Sequence, residues 1–243
     1  MPPTPFLTAH WSALLMLSWE VPRDALLPFV PRGTELDDVD GAVHASMVGF
    51  RFERTRLRGI PVPLHGNFDE VNLRFYVRRR VEGKWPRAAV FISEIVPMPA
   101  IAWTAKLLYN EKYQWCRMRH AVDLGAAASG GAGQVRFEWR HRGRWHHLAA
   151  TTTGMPTTPA EGSLDRFISE HYYGYSSQRD GGTVEYAVVH PMWRVWSVAD
   201  WSFSADVASL YGDAFAAPLS EAPVSAFVGE GSDVAVHAGV RIY

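Results

Sequence analysis

Hydrophobic and polar residues alternate with a period of two through much of the chain. Eight segments carry this strand signature: residues 42–52, 70–80, 88–96, 134–141, 145–151, 183–190, 194–203 and 233–242. Many hold β-branched or aromatic residues and end near Gly, Pro or Asp. Helical spacing is confined to three short stretches. Pro22 sits at a first-turn position before residues 23–29, and Pro99 opens residues 100–109. Ser163 is a candidate N-cap for residues 163–172, where Leu164, Phe167 and Ile168 form an apolar stripe. Strands outnumber helices and do not alternate with them, which disfavours a doubly wound sheet. The expected architecture is mainly β with a few helices (α+β), a closed or nearly closed antiparallel barrel. Residues 125–133 and 151–162 are rich in breakers and read as surface loops, so residues 1–243 are expected to form one domain.

The first seventeen residues hold Pro2, Pro3 and Pro5, then the short apolar run Ala13, Leu14, Leu15, Met16, Leu17, with no basic stretch ahead of it. That run is too short to span a bilayer and makes a poor signal peptide. With 24 Lys and Arg against 25 Asp and Glu, the net charge of −1 lacks the basic footprint that nucleic acids or anionic membranes require. Neither is an expected partner. The single cysteine, Cys116, excludes an internal disulfide and a paired-cysteine zinc site, so a cytoplasmic location is expected. The cationic residues are almost all arginine: Lys84, Lys106 and Lys112 are the three lysines. Amine chemistry therefore has three candidate side chains.

Three segments carry candidate chemistry. In residues 67–77, Val71, Leu73, Phe75 and Val77 share one strand face while Glu70, Asn72, Arg74 and Tyr76 share the other. If the second face points into a barrel, an acceptor, an amide and a cation enter its cavity. The strand at 88–96 is apolar on both faces except for Ser93 and Glu94. A carboxylate there is either at an exposed strand end or paired with a cation such as Arg74, because an unpaired buried charge is costly. Lys112 follows the helix expected at 100–109. Its amine would need desolvation or a neighbouring cation to act as a nucleophile, and Glu111 and Tyr113 supply neither. The histidines show no metal-ligand spacing, and His190 reads as a core hydrogen-bonding residue. Glycine-rich nucleotide motifs and a nucleophile elbow are missing from the sequence. No cofactor and no metal are expected.

His10-Trp11, residues 17–36, Asp40-Gly41, Val48-Gly49-Phe50, residues 67–77, residues 99–110 and residues 164–193 recur in an order that resembles the YqjF-like family of uncharacterised bacterial proteins, over about four-fifths of the chain. The resemblance implies a fold related to acetoacetate decarboxylase, a single-domain β barrel or sandwich with flanking helices around an apolar cavity. That enzyme uses a Schiff-base lysine in a Trp-Gly-aromatic-Pro-Lys-Lys stretch after a helix. The matching stretch here is residues 109–114, Tyr-Asn-Glu-Lys-Tyr-Gln, which lacks the lysine pair and needs a one-residue shift to make Lys112 the nucleophile. Trp19 stands where that enzyme has an arginine, and Glu70 takes a place similar to one of its cavity carboxylates.

Together these features lead to the expectation of a barrel that binds a small carboxylate- or carbonyl-bearing molecule. Arg74 would clamp the anion and Glu70 would orient it, with Asn72 and Glu94 as further polar contacts and Trp103, Tyr109 and Trp193 as apolar walls. One alternative is a Schiff-base lyase acting on a β-keto acid, with Lys112 and Glu70 catalytic. Another is a protein-interaction module using exposed tryptophans. A homo-oligomer is left open.

Overall fold

In the computed structural model, residues 4–63, 65–99 and 112–243 are described. Among them are fifteen strands: β1 (Leu7–Glu20), β2 (Glu35–Leu36), β3 (His44–Leu57), β4 (Ile60–Pro61), β5 (Phe68–Arg78), β6 (Arg87–Val96), β7 (Tyr113–Trp115), β8 (Arg117–Asp123), β9 (Gln134–His141), β10 (Arg144–Thr157), β11 (Tyr173–Ser177), β12 (Thr183–Val189), β13 (Val195–Ser204), β14 (Ser225–Val236) and β15 (Val240–Arg241). The described α-helices are short: α1 (Arg23–Leu26), α2 (Leu164–Ser169) and α3 (Val207–Tyr211). The chain is mainly β with few helices, as the alternation predicts.

One path of strand pairing closes on itself. It runs β14–β1–β3–β5–β6–β11–β12, and β12 then pairs back to β14 through Val188 with Val236 and Val189 with Ala235. From β14 the sheet also continues through β13, β10, β9 and β8. This second arm folds over the outside of the ring, and the layers bury two distinct cores.

Successive residues of a strand point to opposite faces, so each ring strand feeds both cores. Leu15, Leu17, Met47, Val71, Leu73 and Phe75 pack outward against Phe137, Trp139 and Leu148 of the second arm. Met16, Val48, Phe50, Tyr76, Phe167 and Trp193 belong to the other core, inside the ring. Gly49 shows why the layers approach so closely: a Cβ there would stand 2.6 Å from Phe137, so the ring of Phe137 occupies the space a side chain would fill.

Several elements differ from the sequence expectation. The apolar run at residues 13–17 lies in β1, a central strand buried on both faces, so no polar alternation announces it. A bulge between Ser12 and Leu15, with Ala13 at φ 52°, further breaks its period. The strand expected at 233–242 divides between the end of β14, which starts at Ser225 and ends at Val236, and the short β15 at Val240–Arg241; Gly229 and Gly231 interrupt the pattern of β14. β10 runs through Thr157 into the expected loop, with a register shift between Thr153 and Thr157 absorbing the glycine and proline. The helix expected at 163–172 stops at Ser169, and β11 follows from Tyr173. Ser163 caps it as expected, its Oγ accepting from Arg166 N–H at 3.2 Å. The helix at 100–109 lies outside the described residues.

Candidate active site inside the ring

The polar face of β5 points into the ring. Glu70 and Asn72 are 3% and 2% exposed, too little for a solvated surface. Asn72 donates from Nδ2 to Glu70 Oε1 at 2.9 Å, and the Tyr113 hydroxyl donates to Glu70 Oε2 at 3.4 Å. Glu94 lies across from Asn72 in the register and is 2% exposed, so it is not at an open strand end. The local geometry comes from a bulge. Leu73 faces Ser93 but Arg74 faces Phe91, leaving Ile92 as the extra residue on β6. Phe91 and Glu94 thereby share the ring face although they are three positions apart. The same register separates Arg74 from Glu94, and no ion pair joins them.

Arg74 instead turns toward α2. Its Nη2 donates to Ile168 O at 3.2 Å and touches Met16 Sδ at 3.5 Å, and the guanidinium stands 5.7 Å from the Tyr76 ring centroid. Its Nε is buried with no hydrogen-bond acceptor. Among the described residues no carboxylate lies within ion-pair distance of it. Arg74 lines a cavity of about 40 Å³ whose other walls include Trp11, His171, Tyr186, His190 and Trp193. A water needs roughly 10–15 Å³ on this scale, so the space suits about three waters or one organic acid of two or three carbons.

His171 lies two residues past the end of α2. Its ring stacks on Tyr76 at 4.3 Å and meets Phe167 edge-on at 5.1 Å, while Nδ1 approaches Ile168 O at 3.3 Å. A carbonyl can only accept, so Nδ1 carries the proton and Nε2 holds a lone pair. Nε2 is buried without a partner. Burial, and then the charge of Arg74, hold the pKa of His171 well below the ordinary histidine value, which keeps the ring neutral. His190 stacks on Trp193 at 4.0 Å and donates from Nδ1 to Pro191 O at 2.9 Å; its pKa is lowered, chiefly by burial.

Of the residues singled out from sequence, Arg74 and Trp193 meet at this cavity, while Glu70, Asn72 and Glu94 cluster further along the same face. Trp103 and Tyr109 lie outside the described residues. Lys112 is on the other side of the sheet. Tyr113, next in sequence, reaches Glu70, whereas Lys112 Nζ lies 4.2 Å from the Phe29 ring centroid, and Phe29 packs on Phe215 of the outer core. Lys112 is exposed as a residue, and partial desolvation of its ammonium lowers its pKa. Sequence reasoning missed Trp11 and His171 as cavity residues. Four tryptophans, Trp85, Trp115, Trp145 and Trp201, are exposed, and arginines cover two of them: Arg78 over Trp85 and Arg119 over Trp145. No cluster of three metal-ligating side chains occurs among the described residues, and no helix among them is long and apolar enough to cross a membrane.

This ring with an inward polar strand is the acetoacetate decarboxylase-like fold. An acetoacetate decarboxylase from Legionella pneumophila superposes with a TM-score of 0.66, at 12% identity, over 99% of this chain and 88% of that one. The enduracididine biosynthesis enzyme MppR, solved with the condensation product of pyruvate and imidazole 4-carboxaldehyde, gives 0.66 at 16% identity over 98% and 90%. An acetoacetate decarboxylase-like enzyme from Sphingomonas wittichii RW1 gives 0.64 at 14% identity over 97% and 92%. In sequence, residues 8–233 match the profile of DUF2071, described as an uncharacterized conserved protein, and the chain belongs to that family. The uncharacterized protein YqjF of Bacillus subtilis (strain 168) is 27% identical over 171 residues, which is 70% of this chain and 67% of that protein.

Proposed function

We propose that the protein binds a small organic molecule bearing a carboxylate or a carbonyl inside the strand ring, with Arg74 as its cationic anchor. The observation that carries this reading is the state of Arg74: a cation lining a cavity on the inner face of the ring, with no carboxylate in ion-pair range among the described residues. A part-buried cation with no carboxylate beside it is stabilised by a counter-charge, and an anionic ligand supplies one. Tryptophan and tyrosine walls around few polar groups are the usual make-up of a small-ligand site. The fold is shared with proteins solved with pyruvate or a pyruvate condensation product, which supports the same class of ligand.

The test is a panel of two- and three-carbon carboxylates and ketones titrated into wild-type protein and Arg74→Met, followed by NMR chemical shifts of the tryptophan indoles. The expected result is saturable shifts at Trp11 and Trp193 in the wild type that vanish in the variant, with circular dichroism showing both folded. Binding that survives unchanged in Arg74→Met, or no binding by any member of the panel, would overturn the reading.

A further inference from the structure

The second arm of the sheet ends at β8, a seven-residue strand with a neighbour on one side. It pairs residue by residue with positions 134–140 of β9, with no register shift. On its other side, no main-chain hydrogen bond joins residues 117–123 to another segment among the described residues. The strand holds neither the proline nor the bulge that blunts many sheet edges, and its charges are of both signs. Alternation sorts its side chains. Met118 and Val122 pack against the outer core and His120 Nδ1 meets Asp69 Oδ2 at 2.9 Å, so these three face the protein. Arg117, Arg119, Ala121 and Asp123 take the other face, and all four are exposed. Arg119 is bound to Glu138 at 2.6 Å, whereas Arg117 and Asp123 make no ion pair among the described residues.

We propose that β8 pairs antiparallel with β8 of a second copy of this chain, across a two-fold axis at His120, joining two sheets into one. Main-chain groups of a strand point alternately toward β9 and toward the open edge, so a self-pair must match residues of like parity. An axis at His120 meets that condition and uses the whole strand. Arg117 then stands opposite Asp123 of the second copy, twice by symmetry, with Met118 opposite Val122 and Arg119 opposite the small Ala121. The unpaired charges thus meet opposite charges, and two half-covered apolar side chains extend the outer core across the axis. The two His120 rings do not collide, because each is drawn to Asp69 of its own subunit. Moving the axis to Arg119 sets two arginines face to face, and moving it to Ala121 leaves Arg117 with no partner in the strand. β8 contributes no residue to the wall of the ring cavity, so this surface is separate from the ligand site.

The test is sedimentation equilibrium of the full chain from micromolar to sub-millimolar concentration, with amide hydrogen exchange read at both ends of that range. The wild type is expected to dimerise reversibly, since one strand pair makes a small interface, and its β8 amides to exchange more slowly at high concentration. Asp123→Arg and Arg117→Asp each set like charges opposite one another and should weaken the dimer by about tenfold or more; the double variant should recover it. A monomer throughout, or a dimer whose β8 amides exchange equally fast at both concentrations, would overturn the proposal. So would a dimerisation constant that the single charge reversals leave unchanged. Asp123→Arg also gives up the contact of Asp123 Oδ1 with Gly125 N–H. Should that variant not fold, Arg117→Asp and the wild-type exchange data decide the matter.

Discussion

Arg74 Nη2 and His171 Nδ1 converge on a single acceptor, the main-chain oxygen of Ile168, at 3.2 and 3.3 Å. Arg74 comes from β5 and His171 from the residue pair after α2, so one peptide group at the end of a short helix couples a strand of the ring to the wall of its cavity. The coupling also puts a cation beside a buried imidazole, which burial first and that cation second keep neutral.

This arrangement makes stability depend on pH. The pKa values of His171, His190 and His44 are all lowered, with burial as the largest cause. Above the unfolded-state value of about 6.5 these histidines are neutral in both states and stability is full. Below it the unfolded chain takes up protons that the folded chain refuses, so stability falls with pH at up to about 1.4 kcal/mol per unit for each histidine still neutral in the fold. Thermal midpoints should hold level from pH 8 to 7 and drop from pH 6.5 downward. His171→Phe should make the drop shallower; an unchanged slope would mean that His171 titrates normally.

The side of the sheet that Lys112 occupies decides a second outcome. Its ammonium lies over Phe29 in the outer core, while Glu70 faces the ring interior. Incubation with pyruvate or acetoacetate and borohydride, followed by peptide mass mapping, should leave Lys112 without a reduced adduct, even though partial desolvation lowers its pKa and favours the free amine. An adduct at Lys112 that requires Glu70 would restore the Schiff-base lyase as the better description.

The strand content and the inward polar face of β5 were legible because alternation is the direct imprint of a half-buried strand. Glu70, Asn72 and Arg74 stood out by type and spacing alone. The role of Glu94 did not, because the bulge at Ile92 rephases β6 and hides which face Glu94 takes. β1 was hidden for the opposite reason: Leu14 and Met16 enter one core and Leu15 and Leu17 the other, so an apolar run replaces the alternation. His171 was visible only as part of the segment at residues 164–193, and nothing local shows that Nε2 ends without a partner. That follows from the position of Ile168 O and the stacking on Tyr76, which are tertiary facts.

Asp37 offers a test of burial against charge. Its side chain is wholly buried, with Arg87 Nε at 3.0 Å and Arg78 Nη1 at 3.8 Å, yet neither meets its carboxylate oxygens in hydrogen-bonding geometry. Desolvation raises its pKa, and the two arginines pull it back. Removing a partner from a fully buried pair costs about 3–5 kcal/mol. Arg87 is about half exposed and Arg78 remains, so Arg87→Met should cost less, about 1–2 kcal/mol in urea denaturation. Asp37→Asn in the Arg87→Met background should recover most of that loss. Strictly additive effects would show that the two groups do not interact.

Gly231 tests the closeness of β14 to β1. It sits at φ +87°, and a Cβ there would stand 2.0 Å from the main-chain oxygen of Trp11, which cannot rotate away. Gly41 has nearly the same φ, +86°, with nothing within 4 Å of its Cβ position. Gly41→Ala therefore measures the left-handed backbone strain alone, about 1–2 kcal/mol. Gly231→Ala adds the collision and should cost roughly 3 kcal/mol or more in urea denaturation, because the strand carrying Trp11 must move. Since Trp11 forms part of the cavity wall, the same substitution should weaken ligand binding while Gly41→Ala leaves it intact. Equal destabilisation by the two variants, with ligand binding unchanged in both, would show that the close approach to Trp11 contributes nothing to either the fold or the site.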